Sequence, residues 1–310
     1  IAIFAAVILG SLLFMKDSAF SEFRYVLAGL TLIFFTGLKD DLVDLGWLKK
    51  IVAEVFAAIL VVVVAGIRIN TFHGLFGVNE LPGWFSIGFS VFVCVALINC
   101  FNLLDGIDGL ASGMAIFISV IFGIWLYKLG YSNFALLAFA LTGGLIPFFF
   151  YNVFGKKNKL FMGDSGSLML GFLFSVLAMK ILCCEIAPGN SLYMNALPVV
   201  VMSVMIIPMF DTIRVFTLRI IKGKSPFVPD RTHLHHVFLK LGFNHLQTSG
   251  IIIMINIGLA VMTFLLRDLD PFLMLVILFG TAFAICLIPC YMESKTFRTK
   301  RKSHIVTPVH

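Results

Sequence analysis

Apolar residues occur along this chain in long unbroken runs, near 1–15, 23–38, 51–66, 85–101, 107–127, 133–153, 164–182, 195–216, 249–267 and 272–292, with short polar segments between them. A helix needs roughly 20 apolar residues to cross a hydrocarbon core of about 30 Å. The pattern therefore predicts an all-α, polytopic transmembrane bundle of about ten spans. A porin-type barrel is excluded, because its strands alternate apolar and polar residues over about ten positions and these runs are apolar throughout. The first run is short of a full crossing and lacks both an initiator Met and the basic flank and cleavage site of a signal peptide. It predicts a chain entered part-way through a membrane helix, truncated at its N-terminus, with about eleven spans in the intact protein. No repeat or long linker divides the 310 residues, so 1–310 reads as one integral-membrane domain. Its main polar segment covers 217–248, and a basic tail covers 293–310.

Composition removes the soluble alternatives. The chain is 60% hydrophobic and 13% charged, with a mean hydropathy of +1.04, against about 25% charged residues in an ordinary soluble domain. When alternate loops are assigned to one side, seventeen of the 23 basic residues fall in a single set: 39–50, 156–159, 214–240 and 295–302. The positive-inside rule makes that side cytosolic and puts the C-terminus there. The net charge of +7 then reflects orientation and contact with anionic membrane lipids, and no nucleic-acid partner is implied. The six cysteines all sit in or beside apolar runs and read as buried thiols.

The acids are harder to explain by topology. Ten of the sixteen, Asp40, Asp41, Asp44, Glu54, Asp105, Asp108, Asp164, Asp211, Asp230 and Glu293, map to the same cytosolic set of loops and helix ends. Clustered carboxylates repel unless protons or a cation sit among them, and ionisable groups at bilayer depth point to function. Asp40 and Asp41 lie in GLKDDLVDLGWLKK, ahead of Lys49 and Lys50. Asn99, Asn102, Asp105 and Asp108 recur every three residues in NCFNLLDGIDGLASG. That spacing allows one stripe on a helix, while Gly106 and Gly109 suggest a break at the membrane surface. Oxygen donors alone suit a hard cation such as Mg²⁺. Asp164 opens an apolar helix in FMGDSGS, where it can serve as a cap, as a metal ligand beside an anion site, or as both. His233, His235 and His236 form HLHH after Asp230 and Arg231; hydrogen-bonding and cationic groups on such a loop suit pyrophosphate recognition better than zinc. Asp211 and Arg214, three apart in PMFDTIRVF, can pair with each other or face the same substrate.

Taken in order, Asp-Asp, NxxNxxDGxDGL, FMGDSGS and HLHH resemble the polyprenyl-phosphate N-acetylhexosamine-1-phosphate transferase family, over about residues 37–243. SPFVPDRTHLHH looks like the branch using UDP-N-acetylglucosamine or a close relative; the peptidoglycan translocase of the same family typically carries a three-histidine run instead. The resemblance implies Mg²⁺, with Mn²⁺ as a substitute, held at Asn102 and Asp164. It implies catalytic roles for Asp40, Asp41, Lys50, Asp105 and Asp108, and substrate contacts from His233, His235 and His236; Asn99, Asp211, Arg214 and Arg231 are further candidates for substrate contact from the residues themselves. The implied partners are a UDP-N-acetylhexosamine and undecaprenyl phosphate in a bacterial inner membrane, with a homodimer as the candidate assembly. The implied reaction is attack of the lipid phosphate on the sugar-linked phosphorus with release of UMP, a step that needs positioning and charge neutralisation more than a strong base. The rival from another class is a cation-coupled transporter, which would place its charges near mid-membrane; here the acids gather at one face.

Overall fold

The computed structural model describes residues 1–14, 20–184, 186, 192–223, 225 and 232–305. Among these it is all-helical apart from a short antiparallel pairing of Thr71 with Glu80. The helices are α1 (Ala2–Phe14), α2 (Phe20–Val43), α3 (Trp47–Ile59, continued by a π-helical turn over Leu60–Val64), α4 (Gly83–Leu104), α5 (Leu110–Lys128) and α6 (Ser132–Phe154). They are followed by α7 (Gly163–Leu182), α8 (Leu197–Ser203), α9 (Ile206–Ile221), α10 (Leu234–Lys240), α11 (His245–Leu265) and α12 (Pro271–Ile305). Six of them, α4, α5, α6, α7, α11 and the first two-thirds of α12, are long and apolar enough to cross a bilayer, and the bent pair α8 and α9 makes up to seven. This is a multi-pass membrane bundle. Each of the ten apolar runs lies largely within helix, but α1 is short and α2 and α3 carry charged residues near the bundle end.

α7 is the hub. Nearly all of its residues are buried, and it packs against α2 and α4, while α5 pairs with α6 and α1 lies on α6. With every neighbour equally apolar, helices in lipid associate by close approach, which small residues permit. A Cβ on Gly37 of α2 would lie 2.6 Å from the backbone nitrogen of Ser165 in α7. Gly37 thus sets how near the last turns of α2 come to the start of α7.

Contacts between loops divide the bundle into two ends. Asp40 and Lys50 meet Asp164, and Asp108 meets Lys159 and His245, at one end. At the other, Lys180 pairs with Glu22 at 2.7 Å and the Cys183 thiol donates to the Arg68 carbonyl. The 217–248 segment, expected to be a polar loop, is largely helical where it is described: α9 runs into it, α10 lies within it and α11 begins in it.

α8 and α9 meet at a bend of 80°. Breaking a helix in lipid strands backbone groups that water cannot satisfy. Asn256 of α11, fully buried, fills that gap: its amide oxygen accepts from the Ile207 N–H at 3.0 Å and its amide nitrogen donates to the Val204 carbonyl at 2.9 Å. Asn256→Leu leaves both groups unpaired, so thermal unfolding in detergent is expected to show a loss of about 2–4 kcal/mol. Loss within about 0.5 kcal/mol of wild type would mean that the bend is held by packing alone.

Candidate active site

Five of the singled-out side chains converge at the crowded end of the bundle. α2 continues through Val43, so Asp40 and Asp41 occupy its last turns, where the helix dipole disfavours acids. Two neighbours offset this. The Asp41 carboxylate accepts from the backbone N–H groups of Asp164 (2.7 Å) and Ser165 (3.1 Å), at the positive N-terminus of α7. The Asp40 carboxylate accepts from the Leu45 N–H at 2.6 Å and from the Lys50 ammonium, which also reaches Asp164 at 2.7 Å. Burial alone would push the Asp40 carboxyl up, but hydrogen bonds from the Asp164 side and from Lys50 hold it below its ordinary value. The same partners raise Lys50 against its burial.

Asn102, in the final turn of α4, donates through Nδ2 to Asp164 Oδ1 and Ser167 Oγ, both at 3.0 Å. The chain breaks just after it. Asp105 is the cap residue of α4, and Gly109, at φ 78°, leads into α5. The break is therefore adopted over the single helical stripe: Asn99 and Asn102 lie on α4, while Asp105 and Asp108 lie in the turn and diverge. Asp105 faces the cluster. Burial, then the charges of Asp164, Asp108 and Asp41, push its carboxyl up to about 6.

Asp108 turns away from this cluster. Its carboxylate is bound by Lys159 at 2.6 Å and by His245 Nδ1 at 2.9 Å. Burial would raise its carboxyl, but these two partners hold it below its ordinary value. Asn99 donates to the buried Glu54 at 2.6 Å, one helical turn deeper than Asn102.

The histidine motif reaches the same end by a different route. Asp211 is buried, with its oxygens taken up by the Arg214 guanidinium, His233 Nδ1 at 2.9 Å and the Leu234 N–H. Arg214 also donates to the Thr232 carbonyl at 2.7 Å. Asp211 and Arg214 thus act as a clamp that fixes the start of α10. With Nδ1 tied to Asp211, His233 Nε2 is buried with no partner among the described residues, a polar atom available to a ligand. The His235 ring lies against Gly106, where a Cβ would come within 2.8 Å of it. Burial, and then the neighbouring His236, push His235 down to about 3. Without a bound ligand His235 is therefore neutral at ordinary pH. His236 lies beside it with ring centroids 4.2 Å apart. Arg231 lies outside the described residues.

Three contributors were not singled out as site residues from the sequence, although Glu54 counts among the ten acids of the cytosolic set. Glu54, Lys159 and His245 are 45, 51 and 137 residues from their partners. Asn152 is similar: it accepts from the Gly109 N–H and donates to the Leu160 carbonyl, tying two loops together.

The donor set suits a hard divalent cation. Asp40, Asp41, Asp105 and Asp164 share a region with the Lys50 ammonium, and all the donors are oxygens. Among the described residues no three His, Cys, Asp or Glu side chains form a ready-made metal cage. That is compatible with Mg²⁺, which takes one or two protein ligands and fills the rest with water and phosphate oxygens.

The fold and this cluster define a multi-pass helical membrane protein with carboxylates concentrated at one end of its bundle. Residues 23–182 match the sequence profile of glycosyl transferase family 4, and the chain belongs to that family. It is 34% identical over 255 residues to the undecaprenyl-phosphate alpha-N-acetylglucosaminyl 1-phosphate transferase of Yersinia pestis, covering 81% of this chain and 67% of that protein. It is 30% identical over 229 residues to the protein of the same name from Escherichia coli K12, covering 73% and 60%. It is 27% identical over 282 residues to the probable undecaprenyl-phosphate N-acetylglucosaminyl 1-phosphate transferase of Bacillus subtilis, covering 90% and 75%. The chain thus spans less than two thirds of the length of some of these relatives.

Asp105 supplies a test of the crowded carboxylates. Its folded value lies above the ordinary 3.8, so its ionised form destabilises the fold; the penalty is absent below about pH 4 and complete above about pH 6. Asp105→Asn is expected to raise the stability of the metal-free protein by about 3 kcal/mol at pH 8 and to leave it unchanged at pH 4. Melting curves at the two pH values check this, and an equal effect at both would remove the electrostatic explanation.

Proposed function

We propose that this chain transfers N-acetylhexosamine-1-phosphate, and GlcNAc-1-phosphate in particular, from a UDP-sugar to undecaprenyl phosphate, releasing UMP and starting a lipid-linked envelope polysaccharide. The observation that carries this reading is the convergence of Asp40, Asp41, Lys50, Asn102 and Asp164 from α2, α3, α4 and α7 at one end of the bundle. The names of the relatives agree with it. The reading includes about ten crossings, with the site and C-terminus on the cytosolic side of the inner membrane, as the sorting of basic residues supports.

In the reaction, a phosphate oxygen of the lipid forms a bond to the sugar-linked phosphorus while the bond from that phosphorus to UMP breaks. The nucleophile is largely ionised near neutral pH, because a phosphate's second pKa is about 6. Asp40 and Asp41 therefore serve mainly to order the site. Asp41 anchors the N-terminus of α7, and Asp40 positions Lys50, whose ammonium turns to the diphosphate when substrate arrives. Asn102 and Asp164 would hold Mg²⁺, which when bound would neutralise diphosphate charge. His233 and His236 offer ring nitrogens to the nucleotide-sugar from the opposite side, and neutral His235 packs the loop onto Gly106.

The direct test incubates the purified protein with radiolabelled UDP-GlcNAc, undecaprenyl phosphate and Mg²⁺, with EDTA as the control. Lipid-linked label that EDTA abolishes supports the reading, its absence sinks it for that sugar, and a panel of UDP-sugars fixes the donor. Asp164→Asn is expected to lower turnover by roughly 10–100-fold or more. Independently of turnover, Mg²⁺ is expected to raise the melting temperature of the wild type by mass action and to leave that of Asp164→Asn unchanged. An equal shift in both proteins would place the cation elsewhere.

A further inference from the structure

The end of the bundle remote from the acidic cluster holds a groove of about 450 Å³ between α5, α8 and α11. Phe117, Ile121, Trp125, Val200 and Phe264 form its apolar wall, and Lys128 stands at its rim. α5 and α11 both start at the acidic end, so Lys128 and Phe264, near their last residues, lie at the opposite membrane surface. Two features separate this groove from ordinary lipid-facing surface. The first is charge. Lys128 is exposed, and the Arg267 guanidinium lies 4.6 Å over the Phe264 ring, so two cations flank one apolar channel. Asp268 and Asp270 share the turn with Arg267, and Asp270 accepts from the Leu273 N–H at the start of α12. The second is an orphan donor. Trp125 is 7% exposed and its indole Nε1 has no acceptor among the described residues.

We infer that this groove is a binding site for an anionic phospholipid of the membrane, with one acyl chain in the apolar channel and the phosphate between Lys128 and Arg267. The volume lies within the range of about 300–1,000 Å³ usual for small-ligand pockets. A cation at the membrane surface favours an anionic over a zwitterionic head group, and an ester carbonyl at the mouth gives the Trp125 N–H an acceptor after a small turn of the ring. The site is separate from the transferase reading: no residue of the acidic cluster lines it, and it needs no nucleotide-sugar.

Trp125 makes the test optical. Trp47 and Trp84, the other two tryptophans, are exposed, and replacing both with Phe leaves Trp125 as the sole reporter, with melting curves confirming the fold. The protein is placed in vesicles of phosphatidylcholine containing increasing fractions of chain-brominated phosphatidylglycerol, or of equally brominated phosphatidylcholine. Bromine quenches on contact. Quenching by the brominated phosphatidylglycerol is expected at a several-fold lower mole fraction, and Lys128→Gln or Arg267→Gln should each reduce that preference by about fivefold. Equal quenching by the two lipids would reduce the groove to general bilayer contact. Absence of quenching by either would mean that protein, such as a second copy of this chain, covers it. Each of those two results overturns the inference, and neither bears on transfer activity.

Discussion

The Asp41 carboxylate, placed across the first backbone N–H groups of α7, is the interaction on which the rest of the site depends. Two adjacent acids at the C-terminal end of α2 are unfavourable by themselves, because the dipole there is negative. They become tolerable only because α7 begins directly opposite, with unpaired N–H groups that need an anion. The close approach that permits this depends on Gly37, which allows the two backbones nearly to touch. Once α2 and α7 are joined, Asp164 lies within reach of Asp40's partner Lys50 and of Asn102, and three separate stretches of chain share one electrostatic problem.

The same logic runs through the loop side of the site. Asp211 is buried, and its charge is balanced by Arg214 and His233 while it caps α10. Those contacts fix where the histidines stand, so that His235 lies on Gly106, in the turn that carries Asp105. On the far side of that turn, Asp108 is anchored by Lys159 and His245. One acid of the DGxD turn thus faces the cluster and the other ties the turn to α11 and to the loop between α6 and α7. The 80° bend between α8 and α9 carries Asp211 to this end of the bundle, and it is stabilised by a side chain from a third helix, Asn256.

Much of this was legible in the sequence for a simple reason. Membrane crossing requires long apolar runs, and the sequence contains them, so the helical class and the rough position of each helix followed without tertiary information. The acids at one face also stood out, since the basic residues there are accounted for by topology and the carboxylates are not. The short-range pattern was less reliable. Asn99, Asn102, Asp105 and Asp108 share a three-residue spacing, yet the helix ends at Leu104 and the four side chains take three separate directions. Spacing alone does not reveal where a helix stops when glycine permits both outcomes.

By itself, then, the sequence determined that this is an α-helical membrane protein whose acids, amides and histidines collect toward one surface, because hydropathy and charge act locally and leave their mark residue by residue. Only the tertiary structure decided which of those groups meet. It set Asn102 and Lys50 on Asp164, Asp41 on the α7 backbone, Asp211 and Arg214 on each other, and Asn99 on Glu54. These pairings depend on how helices distant in sequence approach and cross, and that geometry is set by small residues at helix contacts and by buried polar groups that must find partners.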